Sequence, residues 1–174
     1  MKRIIFALVI SMVCMSQAFG AMLTQGTRQL SVVGMINDDT DVNVNLGLGY
    51  GYFIKDNIEI GGAANLDMVG GGDLMRFGAA VFSEYNFILS SENWVPFMGV
   101  SGGIQYWSVD TDVIDDDDFA FEIIGYGGVK YFVVENLSIG TALRLKASTE
   151  DVYLGDGEME SADWDIVINT GFYF

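Results

Sequence analysis

The 174-residue chain has no histidine, a single cysteine and a single proline, and only 8 Lys and Arg stand against 24 Asp and Glu. Each shortage excludes something. Without histidine, no side chain has an ordinary titration near neutrality, and the usual general base or proton carrier of a hydrolytic site is missing. Cys14 lies in the amino-terminal segment discussed below, so the remainder has no disulfide, no thiol nucleophile and no thiolate metal site. A formal net charge of −16 repels the phosphates of nucleic acid, and no nucleic-acid partner is expected. Past residue 20 there is no apolar run of about 18 residues and no sustained i, i+3, i+4, i+7 spacing, so neither a spanning nor an amphipathic helix is expected. Nucleophilic catalysis would need an unusual Ser-Lys or carboxylate arrangement, for which the sequence has no motif. The chain is therefore not read as an enzyme, and no cofactor is expected.

Residues 1–20 have the build of a secretory signal peptide. Lys2 and Arg3 precede an apolar stretch from Ile4 to Met15, and Ala18-Phe19-Gly20 places small residues at −3 and −1 of a cut before Ala21. The stretch is shorter than the roughly 20 residues a spanning helix needs. Val13 stands where a lipid-anchored cysteine would follow a small residue, so Cys14 is not read as an anchor. Residues 21–174 are then one domain, with 6 Lys and Arg against 24 Asp and Glu, a net charge of −18.

What the mature chain has in abundance is period two. In residues 41–53, Val42, Val44, Leu46, Leu48, Tyr50 and Tyr52 alternate with Asn43, Asn45, Gly47, Gly49 and Gly51. The same alternation predicts strands at 28–36, 42–52, 57–68, 76–87, 95–107, 119–131, 137–148 and 162–174. These are longer than the five or six residues of an average strand and match the roughly 9 to 11 that cross a bilayer at a tilt. Links at Lys55-Asp56, Ser90 to Asn93 and Val133 to Asn136 are short; those at Val69 to Met75, Ser108 to Asp118 and Thr149 to Ser161 are longer and rich in Gly or acid. Short turns on one rim and longer loops on the other suit an outer-membrane barrel. A hairpin unit repeats once, as YFIKDNIEIG over 52–61 and YFVVENLSIG over 131–140.

Alternation alone does not say which face is inside, since a soluble lipocalin-like barrel shares it. The distribution of charge decides. The set holding Val42, Ile60, Val81, Val100, Val129, Leu143 and Ile168 has no charged residue across the expected spans. Glu59, Asp67, Glu84, Glu122, Lys130, Arg144, Lys146 and Asp165 all share the other parity, which is otherwise full of Gly, Ala and Ser. Small side chains suit the crowded interior of an eight-stranded barrel, so this face is read as the lumen. A lone lumen charge would cost several kcal/mol, so these groups are expected to pair and plug the barrel, with Phe82, Ile124 and Val167 as an apolar middle layer. Aromatics of the apolar face gather at strand ends: Tyr50, Tyr52, Tyr85, Phe87, Tyr131, Phe172 and Phe174 toward the short turns, and Phe77, Tyr106, Phe121 and Trp164 toward the long loops. They are read as the two interfacial girdles.

The chain ends in Gly171-Phe172-Tyr173-Phe174. With the YFIKDNIEIG and VKYFVVENLSIG turns and the WVPFMGV strand, it resembles the small outer-membrane β-barrel proteins of Gram-negative bacteria, the group of the outer membrane protein A membrane domain, outer membrane protein X and the opacity proteins. The resemblance spans residues 27–174 and implies an all-β, eight-stranded antiparallel up-and-down transmembrane β-barrel with both ends in the periplasm. It also implies that the terminal aromatic strand is handed to the barrel-insertion machinery, and that bilayer lipid and lipopolysaccharide are partners.

Function is read as residing in the acidic outer loops, in surface interaction with an extracellular ligand, adhesion or envelope integrity. The alternative is a narrow channel or small-solute transporter. Asp110, Asp112, Asp115, Asp116, Asp117 and Asp118 are a candidate Ca²⁺ or Mg²⁺ cluster, and the last loop adds Glu150, Asp151, Asp156, Glu158 and Glu160; no full EF-hand spacing is present.

Overall fold

A computed structural model describes residues 23–38, 42–69, 74–89, 93–110, 115–150, 153–155 and 158–174. Residues 1–20, read above as a signal peptide, lie outside them. Alternation becomes eight barrel strands: β1 (Arg28–Asp38), β2 (Val42–Lys55), β3 (Ile58–Val69), β4 (Leu74–Asn86), β5 (Trp94–Asp110), β6 (Asp115–Val134), β7 (Leu137–Ser148) and β10 (Ala162–Tyr173). Between the last two sits a small hairpin, β8 (Tyr153–Gly155) with β9 (Glu158–Glu160). Every barrel strand pairs antiparallel with its sequence neighbour in the barrel, and β1 closes on β10 through Gln29↔Tyr173 to Gly34↔Ile168. This is the eight-stranded up-and-down fold of transmembrane β-barrels. Followed once around, the ladders return to β1 displaced by about ten residues, a stagger that tilts eight strands by roughly 40° and leaves an interior side chains can just fill.

The apolar parity faces outward. Leu46, Ile60 and Ile168 are exposed on the outer surface, whereas Glu84 is buried inside. The inner face is small because the barrel is narrow. A Cβ on Gly61 would collide with the carbonyl oxygen of Tyr50 and the Phe82 ring, and one on Gly128 with the backbone of Thr141 and Ala142.

Two departures from the sequence reading concern the long loops. The expected link Ser108 to Asp118 is mostly strand, because the β5–β6 ladder continues to Asp110↔Asp115. Four Asp in succession argue against a strand by propensity, but a partner already held in register by the barrel supplies the pairing. The link Thr149 to Ser161 likewise contains the β8–β9 hairpin. The two copies of the repeat share their geometry: each closes its hairpin with two residues, Asp56-Asn57 or Glu135-Asn136, and each ladder shifts register just before the turn, at Phe53/Lys55 and at Phe132/Val134. Asn57 takes a φ of 67°, a conformation Asn tolerates in tight turns.

Candidate functional site

The lumen is stacked in layers. At the turn end, Phe53, Val95, Phe132 and Tyr173 bury their rings and methyls around Leu23. Both phenylalanines come from the repeat, which puts its tyrosine outward and its phenylalanine inward. Leu23 precedes β1 and is held there by a strap: Asn57 N–H donates to its carbonyl at 2.8 Å, Gly26 N–H to the Phe53 carbonyl at 2.9 Å, and Gln25 N–H to Asp56 Oδ1 at 2.8 Å. The result is a packed apolar layer at the turn end. Asn86 is also fully buried at this end, and its side-chain amide has no partner among the described residues.

Immediately above lies a charged layer. Glu59 and Glu84 are direct partners across the β3–β4 ladder, and Lys130 reaches over from β6 to pair with Glu84. The Lys130 ammonium also lies 4.9 Å from the centre of the Phe97 ring. With its amide nitrogen turned toward Glu59, Gln29 donates to both carboxylate oxygens at 3.0 and 2.8 Å. Burying these ions is tolerable only because each finds an opposite charge or a donor.

The middle of the barrel is apolar and small. Phe97, Ala142 and Val167 cluster with Val33 and Tyr126, and a cavity of about 170 Å³ runs through this zone, with Phe82, Ile124 and Val167 on its wall.

Toward the loops the ions pair again. Arg144 grips Asp165 with two bonds, Nε to Oδ1 at 2.6 Å and Nη2 to Oδ2 at 2.5 Å. Lys146 reaches Asp163 at 2.6 Å and Asp165 at 3.0 Å. Asp67 accepts from Asn45 and stands 3.8 Å from Arg76. Glu122 accepts from Gln105 Nε2 at 2.7 Å.

All the lumen charges picked from sequence therefore point inward, in two separate groups: Glu59, Glu84 and Lys130 below, and Asp67, Glu122, Arg144, Lys146 and Asp165 above. Sequence reasoning missed Gln29, Arg76 and Asp163, which share the same parity, and the buried aromatics Phe53, Phe132 and Tyr173, which interrupt the small face at its turn end. Nothing in the sequence marks Leu23. The aromatics assigned to girdles are all on the outer parity, with Tyr85 against Phe87 at 4.8 Å between ring centres; Tyr106 and Phe121 lie several residues inside their strands, because the β5–β6 ladder runs on to Asp110↔Asp115. Trp94 joins them, 4.8 Å from Tyr131, as does Phe119, 5.1 Å from Tyr106. Asp112 lies outside the described residues, and of Asp110 and Asp115 to Asp118 only the backbone is described.

No protein-family model matches the sequence, and no curated protein does. Among solved structures, the chain is similar to the N-terminal β-barrel domain of Pseudomonas aeruginosa OprF, with a TM-score of 0.65 at 16% identity over 86% of this chain and 98% of that one. It is similar to Neisserial surface protein A, with a TM-score of 0.61 at 14% identity over 85% and 96%. Pseudomonas aeruginosa outer membrane protein OprG gives 0.52 at 14% over 89% and 98%. At these identities the likeness is one of fold.

Proposed function

We infer that the chain is a resident of the outer membrane of a Gram-negative bacterium, with a closed lumen, that works through its loop side in surface interaction, adhesion or envelope integrity and without turnover. The observation that carries this reading is the double seal at the turn end: the Leu23 plug and, directly on top of it, the Lys130, Glu84 and Glu59 layer. A solute entering from the loops meets a floor. Lipid and lipopolysaccharide contact the apolar outer face, and the outward rings at its two rims are the girdles that hold it at depth. The terminal residue completes the closure, since Phe174 and Arg28 exchange backbone hydrogen bonds at 3.0 and 2.9 Å; this strand is the one offered to the insertion machinery.

Planar-bilayer recording of the refolded protein tests the closed lumen. No steady unitary conductance is expected, and vesicles carrying the protein should not swell in permeant sugar solutions. A steady conductance would replace this reading with the narrow channel. For the location, fractionation should place the protein in the outer membrane; recovery from the periplasm without detergent would refute it.

A further inference from the structure

The loop-side half of the lumen holds polar atoms that the barrel itself leaves unmet. Gln105 is 4% exposed; its Nε2 donates to Glu122, and its Oε1 accepts from none of the described residues. Two residues nearer the loops on the same face of β5, Trp107 packs on Ala120, and its buried Nε1–H donates to none of the described residues. The Gln105 acceptor is on the cavity wall and calls for a visitor that can give a hydrogen bond, while the Trp107 indole, one step nearer the loops and off that wall, is a second donor close by.

The space beside Gln105 narrows the choice. Gln105 lines the 170 Å³ cavity together with Asn45, Asn65, Asn169 and Ser101, while Phe82 and Ile124 line its apolar part. A cavity of about 150 Å³ is enough to take up a benzene ring, so this one has room for a single six-membered ring. The ions of this zone are already matched within the barrel, Arg144 to Asp165 and Lys146 to Asp163 and Asp165. An incoming charge would have to compete with those pairs, whereas a neutral ligand need not. Hydroxyls donate and accept at once, amides and carboxylates bind them readily, and the CH face of a sugar ring suits an apolar wall.

We propose that the loop-side lumen is a dead-end pocket for one neutral polyhydroxylated ring of pyranose size, entered from the loops and floored by the Glu59, Glu84 and Lys130 layer. The pocket stands apart from the outer-membrane reading; only the statement that its mouth faces the cell exterior rests on it. Water has the same donor and acceptor chemistry and is the competing occupant.

The test uses the full mature chain refolded in a sugar-free detergent, lauryldimethylamine oxide, in a Trp94→Phe, Trp164→Phe background so that Trp107 is the reporting indole. D-glucose, D-galactose and D-mannose are titrated to about 100 mM, with glucose 6-phosphate as the charged counterpart. At least one neutral sugar should give a saturable change in Trp107 emission. Gln105→Leu should weaken that response about tenfold or more, and so should Ser101→Leu, which fills the cavity without touching either orphan. Circular dichroism confirms that each variant is folded. No saturable response to any of the three sugars would mean water alone occupies the space and overturns the proposal, as would a response unchanged by Ser101→Leu or equal binding of glucose 6-phosphate.

Discussion

Glu59 and Glu84 stand directly opposite one another across the β3–β4 ladder, inside the barrel, and the ammonium of Lys130, paired to Glu84, lies 6.0 Å from the centre of the Tyr173 ring. Like charges facing each other on a ladder repel, and here the repulsion is held in check by one cation and one amide. Lys130→Met should therefore be far costlier than the loss of one surface ion pair. With both carboxylates left buried, a destabilisation of about 3–5 kcal/mol is expected, read from denaturant unfolding in micelles. Adding Glu84→Leu to Lys130→Met should recover a good part of it, since the pair is then replaced by apolar volume. Equal stability of Lys130→Met and the parent would show that water reaches this layer.

How much of this was legible in the sequence follows from what period two can carry. It separates Leu46 and Ile168 from Glu84 and Arg144 without ambiguity, because one residue of slip would reverse every side chain. It also places Glu122 near Arg144 and Asp165, since their strands are consecutive in the barrel. It does not set the stagger between strands, so the pairing of Lys130 with Glu84, from strands two apart, could not be read. The Asp run before Phe119 looked like a loop because Asp is a poor strand former, and only tertiary pairing overrides that. Leu23 and its strap were invisible for a different reason: a five-residue segment has no periodicity, and its hydrogen bonds run to the β2–β3 hairpin, 27 to 34 residues away.

The glycines of the two faces should behave oppositely. At Gly61 and Gly128 a methyl group meets backbone atoms of the next strand, so Gly61→Ala and Gly128→Ala should each destabilise by about 1–3 kcal/mol or block folding. At Gly102 and Gly125, which lie on the outer parity, an added Cβ meets nothing within 4 Å. Gly102→Ala and Gly125→Ala should be neutral or raise stability by about 0.5–1 kcal/mol, because a strand interior disfavours glycine. The four unfolding curves, measured side by side, check the assignment of inner and outer faces; the same loss at all four positions would contradict it.

Ile168 is 61% exposed and lies midway along β10 on the outer face, so in a bilayer its neighbours are acyl chains. Ile168→Lys should cost about 2–4 kcal/mol of folding stability in phospholipid vesicles. Phe174→Lys, at the rim, should cost about 0–1 kcal/mol, because its ammonium reaches the headgroups. This depth dependence distinguishes lipid from water at the outer surface, and identical small effects at both sites would mean that the apolar face is not membrane-embedded.

On the closed-lumen reading, the Leu23 layer and the ion layer are two seals in series, and they should fail separately. Leu23→Asp puts a carboxylate among Phe53, Val95, Phe132 and Tyr173, all at most 2% exposed. Desolvating that charge should expel the strap from the barrel end, seen as protease cleavage before β1 that the parent resists. Yet Lys130, Glu84, Glu59 and Gln29 still fill the cross-section above, so Leu23→Asp alone should remain silent in planar bilayers. Truncating the ion layer in the same chain, with Lys130→Ala and Glu84→Ala, removes the second seal and the charges that held it, and should produce bursts of conductance. If Leu23→Asp alone conducts steadily, the strap is the sole barrier, and the lumen above it is an open, hydrated passage.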